Sequence, residues 1–110
     1  MALIFTDVKR FNIKNSGGMR RAIIDITFDN AYATGGWAVL ASDVKMSIVY
    51  GMVAIGAQVG AAVGAVFGWD PATAPNGKLL AYKSNTAALF QEIGAADLNT
   101  RVVRFEVIGG

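Results

Sequence analysis

The sequence contains no cysteine and no histidine among its 110 residues. The missing cysteines exclude disulfides, thiolate nucleophiles and thiolate metal sites, and the missing histidines remove the commonest metal ligand and general base. Catalysis would have to depend on carboxylates, lysine, serine or tyrosine alone. We therefore interpret the chain as non-enzymatic, with no cofactor, no metal site and no small-molecule substrate.

Charged residues are also scarce, at 16% of the chain, and the net charge is only +2. This argues against nucleic acid as a partner, because domains that bind nucleic acid usually carry a clear basic excess. Hydrophobic residues make up 54% of the chain, and glycine occurs 13 times. A chain of this length is expected to form one domain, 1–110, with apolar area left for contacts with other proteins.

The longest uncharged stretch, 46–69, allows two interpretations. Its regularly spaced glycines are Gly56, Gly60, Gly64 and Gly68. A repeat of four positions is the pattern through which membrane helices pair, so a small membrane protein with a Gly-x-x-x-Gly helix is one alternative. The other interpretation is two strands, 46–55 and 63–69, joined by a Gly/Ala-rich loop. We prefer the strands and argue against a membrane, because the many Gly and Ala residues make insertion marginal.

Alternating residues predict which faces of two strands are buried. The first alternation places these apolar residues on one face: Ala22, Ile24, Ile26 and Phe28. The opposite face, which carries Asp25 and Asp29, is expected to be exposed to solvent. A second alternation, within 101–108, places Val103, Phe105 and Val107 on one face.

Turn residues separate the other predicted strands. A strand of mixed polarity over 4–14 stops at a Gly-rich turn, and another turn over 34–36 precedes Trp37. A connection from Asp70 to Gly77 closes on Asn76-Gly77 and leads into a returning strand over 78–83. If this turn is a tight hairpin, Gly77 is expected to have positive φ. Residues 42–45 are long enough for only a single helical turn. Residues 89–93 are predicted to form a short strand. The pattern predicts an all-β fold, an antiparallel β-sandwich or jelly-roll-like single domain with about seven or eight short strands and little helix.

The carboxylates offer no catalytic pair. Asp25 and Asp29 would lie about 13 Å apart on a strand, which is too far for the paired carboxylates of a glycosidase. Trp37 and Trp69 each follow a glycine, and we interpret both as core residues rather than interface anchors.

A basic and aromatic patch near the N-terminus is the candidate partner-contact site. Its residues are Phe5, Lys9, Arg10, Phe11 and Lys14. A strand of mixed polarity can add to a neighbouring subunit, where main-chain pairing gives affinity and side chains give register. Residues 1–14 are therefore a candidate interaction arm, and we expect the domain without them to stay folded and to lose its partner.

Three segments resemble those of small virion structural proteins of tailed phages, particularly short head decoration proteins. They are Asp25-Ile26-Thr27-Phe28-Asp29 with Tyr32 to Ala38, Gly68-Trp69-Asp70 with Asn76 to Tyr82, and Thr100 to Gly109. The resemblance implies a non-enzymatic cement protein of the bacteriophage capsid that binds the outer shell as a homo-oligomer.

The partners implied by the resemblance are the major capsid protein and sister subunits, and the implied location is the virion, assembled in the host cytoplasm. A neck or tail structural protein is the alternative location in the particle. The sequence leaves the copy number and the host open.

Overall fold

The computed structural model describes residues 3–12, 19–30, 32, 34–56, 66–71, 75–83, 91–94 and 101–110. These ranges contain eight strands and a single 3₁₀ helix, Ala41–Val44. The strands are β1 (Ile4–Asn12), β2 (Arg20–Thr27), β3 (Trp37–Val39), β4 (Val49–Ala54), β5 (Val66–Asp70), β6 (Gly77–Lys83), β7 (Gln91–Glu92) and β8 (Val102–Gly109). The predicted all-β fold is confirmed, including the single helical turn that follows β3.

The strands form two antiparallel sheets. Sheet A has the order β1-β2-β8-β4, and sheet B has the order β3-β6-β5, with β7 also pairing with β6. The order places β1 and β4 at the two edges of sheet A. An edge strand has one side whose N–H and C=O groups no neighbouring strand satisfies, so edges are where other chains can pair.

Both sheets contribute to one core. On sheet A, Ile24 of β2 lies opposite Phe105 of β8, and both are fully buried. On sheet B, Leu79 of β6 is fully buried as well. Full burial of a side chain of this size contributes about 1.5–3 kcal/mol. The alternation predicted for β2 and β8 is therefore confirmed, with Ala22, Ile26, Val103 and Val107 on the buried faces.

Aromatic rings fill the centre of this core. Phe28 packs against Trp37 with ring centroids 4.6 Å apart, and it stacks on Phe67 at 5.6 Å. Phe67 in turn meets the edge of Phe105 at 5.1 Å. Trp37 is buried, as predicted, whereas Trp69 is only partly buried and packs against the outside of the core.

A polar link holds the turn before β3 in place. The Tyr32 hydroxyl donates to Glu92 Oε1 at 2.5 Å, and the Gly35 N–H donates to the same oxygen at 2.9 Å. Burial raises the pKa of Tyr32 well above its usual value of 10, and the hydrogen bond to Glu92 raises it further. The hydrogen bond from Tyr32 lowers the pKa of Glu92. The predicted turn at 34–36 is confirmed, and both Gly35 (φ 98°) and Gly36 (φ 103°) have the left-handed backbone that favours glycine.

The described residues of the uncharged stretch do not form the helix required by the membrane interpretation. Residues 49–54 and 66–69 belong to β4 and β5, while 57–65 lie outside the described residues. No helix within the described ranges has the length and apolar character to cross a bilayer. The preferred two-strand interpretation is therefore confirmed for the described part of this stretch, and the alternative helix is wrong there.

Asp29 is buried, so the prediction that it lies on the solvent-exposed face of β2 is wrong. The strand ends at Thr27, and the alternation of faces ends with it. Asp29 is only 4% exposed, and its Oδ1 accepts a hydrogen bond of 2.9 Å from Trp37 Nε1. A buried carboxylate needs such partners to offset its lost hydration, and the indole of Trp37 supplies one.

The predicted connection from Asp70 to a returning strand is confirmed, since β5 pairs with β6 in antiparallel fashion, but the positive φ predicted at Gly77 is wrong. Gly77 is the first residue of β6 and pairs with Val39 of β3, and its φ is not positive. It is buried with its Cα facing the indole of Trp69, where a Cβ would collide with the ring. Glycine is therefore required here for close packing and not for backbone conformation.

Candidate interface edges of sheet A

The predicted partner-contact residues lie on β1, at one edge of sheet A. Phe5 is half-buried and packs against the core, while Lys9 is exposed. Phe11 is half-buried, and Lys14 lies outside the described residues. The structure brings Lys9 and Phe11 together at this edge and directs Phe5 inward.

β1 is part of the domain's own sheet. It pairs with β2 from Ile4 opposite Thr27 to Asn12 opposite Arg20, with a β-bulge between Asp7 and Lys9. Removing residues 1–14 would take away this strand and uncover β2. The placement argues against the expectation that the deletion leaves the domain intact, so point substitutions are the better test of contact.

Arg10 uses its guanidinium within the domain. Its Nε and Nη2 donate to the two carboxylate oxygens of Asp7 at 2.9 Å each, and Nη2 also donates to the Val44 carbonyl at 2.7 Å. Lys45 Nζ lies 3.1 Å from Asp7 Oδ2. These contacts join the bulge of β1 to the 3₁₀ helix. They leave Arg10 less available to a partner than its sequence position indicated.

The hydrogen bond from Arg10, with smaller effects from Lys45, lowers the pKa of Asp7 from 3.8 to about 2. A carboxyl whose pKa is lower in the folded state stabilises the fold above its unfolded-state pKa, and this contribution is lost as the pH falls through the folded-state value.

We expect Asp7→Asn to lower the free energy of unfolding at neutral pH by about 0.2–1 kcal/mol, a small effect because the pair is partly exposed and screened. Urea midpoints of both proteins should converge between about pH 4 and pH 2. A difference that stays constant over this interval would show that Asp7 stabilises β1 without its charge.

Phe11 and its cationic neighbours form the outward-facing part of the β1 edge. Lys9 Nζ lies 5.8 Å from the ring centroid of Phe11, and Arg21 Cζ lies 5.0 Å from it. Arg21 is also paired with Glu106, with Nε and Oε2 3.2 Å apart. We call Lys9, Phe11 and Arg21 the basic–aromatic patch. Cations held against a ring in this way present charge and apolar area to the same partner.

The exposed face of sheet A between its two edges has its charges paired across strands. Arg104 Nε donates to Asp25 Oδ1 at 2.8 Å, and Nη2 donates to Oδ2 at 3.1 Å. The Arg104 guanidinium lowers the pKa of Asp25, and Asp25 raises the pKa of Arg104. Both groups therefore stay charged and mutually satisfied, and the centre of the face offers little net charge to a partner.

The opposite edge, β4, is an apolar surface that the sequence reasoning missed. Its exposed side chains are Tyr50 (59% exposed), Val53 (61%) and the adjoining Ile55 (52%). Val66, on the neighbouring strand β5, is 57% exposed. We call Tyr50, Val53 and Ile55 the β4 edge. The uncharged stretch 46–69 was the only sequence signal for this apolar surface. It does not distinguish an exposed apolar edge from a strand that is buried on both faces, because both have the same composition.

Comparison of the chain with protein-family models, with curated proteins and with solved structures finds no match.

Proposed function

We propose that this chain is a non-enzymatic structural protein of a phage particle, a capsid decoration protein that binds the outer shell as an oligomer. One observation carries the proposal: among the described strands, β1 and β4 form the two edges of sheet A, and these two edges differ in chemistry. The β1 edge is basic and aromatic, whereas the β4 edge is uncharged and apolar. The segments that resemble small virion structural proteins, particularly decoration proteins, support the assignment to a phage particle.

Two different edges suit a protein that contacts two kinds of neighbour at once. A cement protein needs one contact with the shell and another with its sister subunits, and neither contact requires a catalytic residue. Exposed apolar side chains grouped on a surface are typical of interaction sites in small proteins. On sheet A the two surfaces are separated by β2 and β8, so both can be occupied together.

The basic–aromatic patch is the proposed contact with the major capsid protein. Its cations favour a shell surface with acidic groups. Phe11 adds apolar area that excludes water from the ion pairs between these cations and the acidic groups of the shell. Arg10 is left out of this contact because it is bound to Asp7 and Val44.

Co-sedimentation with undecorated capsids tests the proposal. We expect the full-length protein to sediment with the particles, Lys9→Glu and Phe11→Ser to reduce the bound fraction strongly, and Lys78→Glu on β6 to bind as the parent does. Lys78 is the matched control because it is an exposed lysine of the other sheet. Circular dichroism should show that all three variants are folded.

The salt dependence of the same assay separates the two parts of the patch. Exposed charge pairs are screened within about 8 Å at physiological ionic strength, so binding dominated by Lys9 weakens steeply with salt. Binding dominated by Phe11 resists moderate salt. Failure of the full-length protein to bind capsids would remove the decoration assignment, and binding to isolated necks or tails instead would place it at the alternative location.

A further inference from the structure

The two edges of sheet A differ in how they are protected against pairing with another strand. β1 carries Asp7, Lys9 and Arg10 and a bulge, which are common devices that keep an edge from extending. β4, with the sequence Val-Tyr-Gly-Met-Val-Ala, carries no charge. It has a bulge only at its start, between Val49 and Gly51.

The second half of β4 has no strand partner among the described residues on the side away from β8. The Val49 N–H is bound to the Pro75 carbonyl at 2.9 Å, which closes the start of the strand. The Ile55 N–H donates to the Arg104 carbonyl of β8 at 2.8 Å. Because backbone groups point alternately to the two sides of a strand, those of Met52 and Ala54 point away from β8. No strand among the described residues pairs with that side of β4.

We infer that β4 pairs with β4 of a second copy of this chain, antiparallel and about a two-fold axis. β4 is the one described strand longer than three residues that has no charged residue. A neighbour that buries Val53 and Tyr50 without burying an unpaired charge must itself be uncharged, and the same strand of a second copy meets that condition. An antiparallel pair of identical strands is self-complementary, as a two-fold interface requires.

The outward backbone groups restrict the register, and we place the two-fold axis at Val53. Met52 and Ala54 would exchange hydrogen bonds with Ala54 and Met52 of the second copy, which places Val53 beside its own counterpart. Residues in such a non-hydrogen-bonded pair have Cα atoms about 4.5 Å apart, so their side chains touch. Sheet A of one copy and sheet A of the other would join into one continuous sheet whose outer edges are the two β1 strands.

This inference rests on the proposed function for its role, since an oligomer on the shell needs a contact between sister subunits. It is tested without particles, by sedimentation equilibrium of the purified full-length chain over a range of concentrations. A monomeric parent would contradict the β4 pairing and leave the capsid-binding result as it is. Failure to bind capsids would contradict the proposed function and leave the measured dimerisation as it is.

We expect the parent to dimerise, and Val53→Lys and Val53→Glu each to raise the dissociation constant by about tenfold or more, because like charges would face each other. Mixing the two variants should restore association, since lysine then faces glutamate. Val8→Lys is the matched control: Val8 is an exposed valine, 43% accessible, on the β1 edge of the same sheet. It should associate as the parent does.

A parent that stays monomeric at all concentrations would overturn the inference. So would an oligomer that Val8→Lys weakens and the Val53 variants do not. With both Val53 variants shown to be folded by circular dichroism, association that is lost in each and not regained in their mixture would also count against the β4 pairing, because lysine and glutamate at facing positions should attract.

Discussion

Replacing Ile24 by aspartate should abolish folding, while the same substitution at the adjacent Ile23 should be tolerated. Ile24 has no exposed surface and lies between the two sheets, opposite Phe105. Burial of a carboxylate without a partner costs several kcal/mol, which is comparable with the stability of about 5–15 kcal/mol of a typical domain. Ile23 lies on the outer face of sheet A, between Lys9 and Glu106 of the neighbouring strands, where an aspartate stays hydrated.

Thermal melting followed by circular dichroism checks this pair. If Ile24→Asp yields no folded protein, Ile24→Ala provides a measurable value, with an expected loss of about 2–5 kcal/mol from the missing side chain and the cavity. Equal shifts of the melting temperature for the aspartate variants at 23 and 24 would mean that the inward and outward faces of β2 are assigned incorrectly.

Gly77→Ala should destabilise the domain by about 1–3 kcal/mol, the usual effect of forcing additional atoms into a well-packed site. The new Cβ would lie 2.7 Å from the Asp70 carbonyl oxygen and would collide with the indole of Trp69. The backbone of β5 and the ring would both have to move. Since β5 pairs with β6 from Val66 to Asp70, that movement disturbs sheet B.

Gly68→Ala, next to the same tryptophan, is the control for this variant. Its Cβ would meet only Tyr82 Cε2, at 3.8 Å, an ordinary van der Waals contact. We expect a change in the urea midpoint near zero or slightly stabilising, because alanine restricts the unfolded chain more than glycine does. Equal loss of stability in both variants would show that glycine is needed for its backbone freedom along β5 and β6 and not for contact with Trp69.

The sequence was sufficient to predict β2, β8 and their buried faces because each strand alternates apolar with polar residues. That alternation reports directly on a sheet with one face in the core. β4 and β5 were predicted as the preferred of two interpretations, with a helix as the alternative, since an uncharged stretch rich in Gly and Ala has no clear period. The pairing of β4 with β8 settled the question in the structure.

The features that the sequence could not reveal depend on contacts between distant residues. Burial of Asp29 requires Trp37, which arrives only after a turn, and the role of Gly77 requires Trp69 on the preceding strand. Arg10 is occupied by a carbonyl 34 positions away. The edge positions of β1 and β4 follow from strand order, which no local pattern encodes. The sequence therefore predicted contact residues at the β1 edge of sheet A and missed those at the β4 edge.

The pairing of β2 with β8 has a consequence for how the chain reaches its fold. These strands are neighbours at the centre of sheet A, yet their paired residues, such as Asp25 and Arg104, are 79 positions apart. Contacts between such distant segments slow folding, because loop-closure entropy is lost before the contact stabilises anything. Sheet A cannot assemble until residues 102–109 have left the ribosome, whereas the β5–β6 hairpin of sheet B can form earlier. During that interval β2 and β4 both lack their shared neighbour β8, which makes the nascent chain most vulnerable to aggregation just before synthesis of β8 is complete.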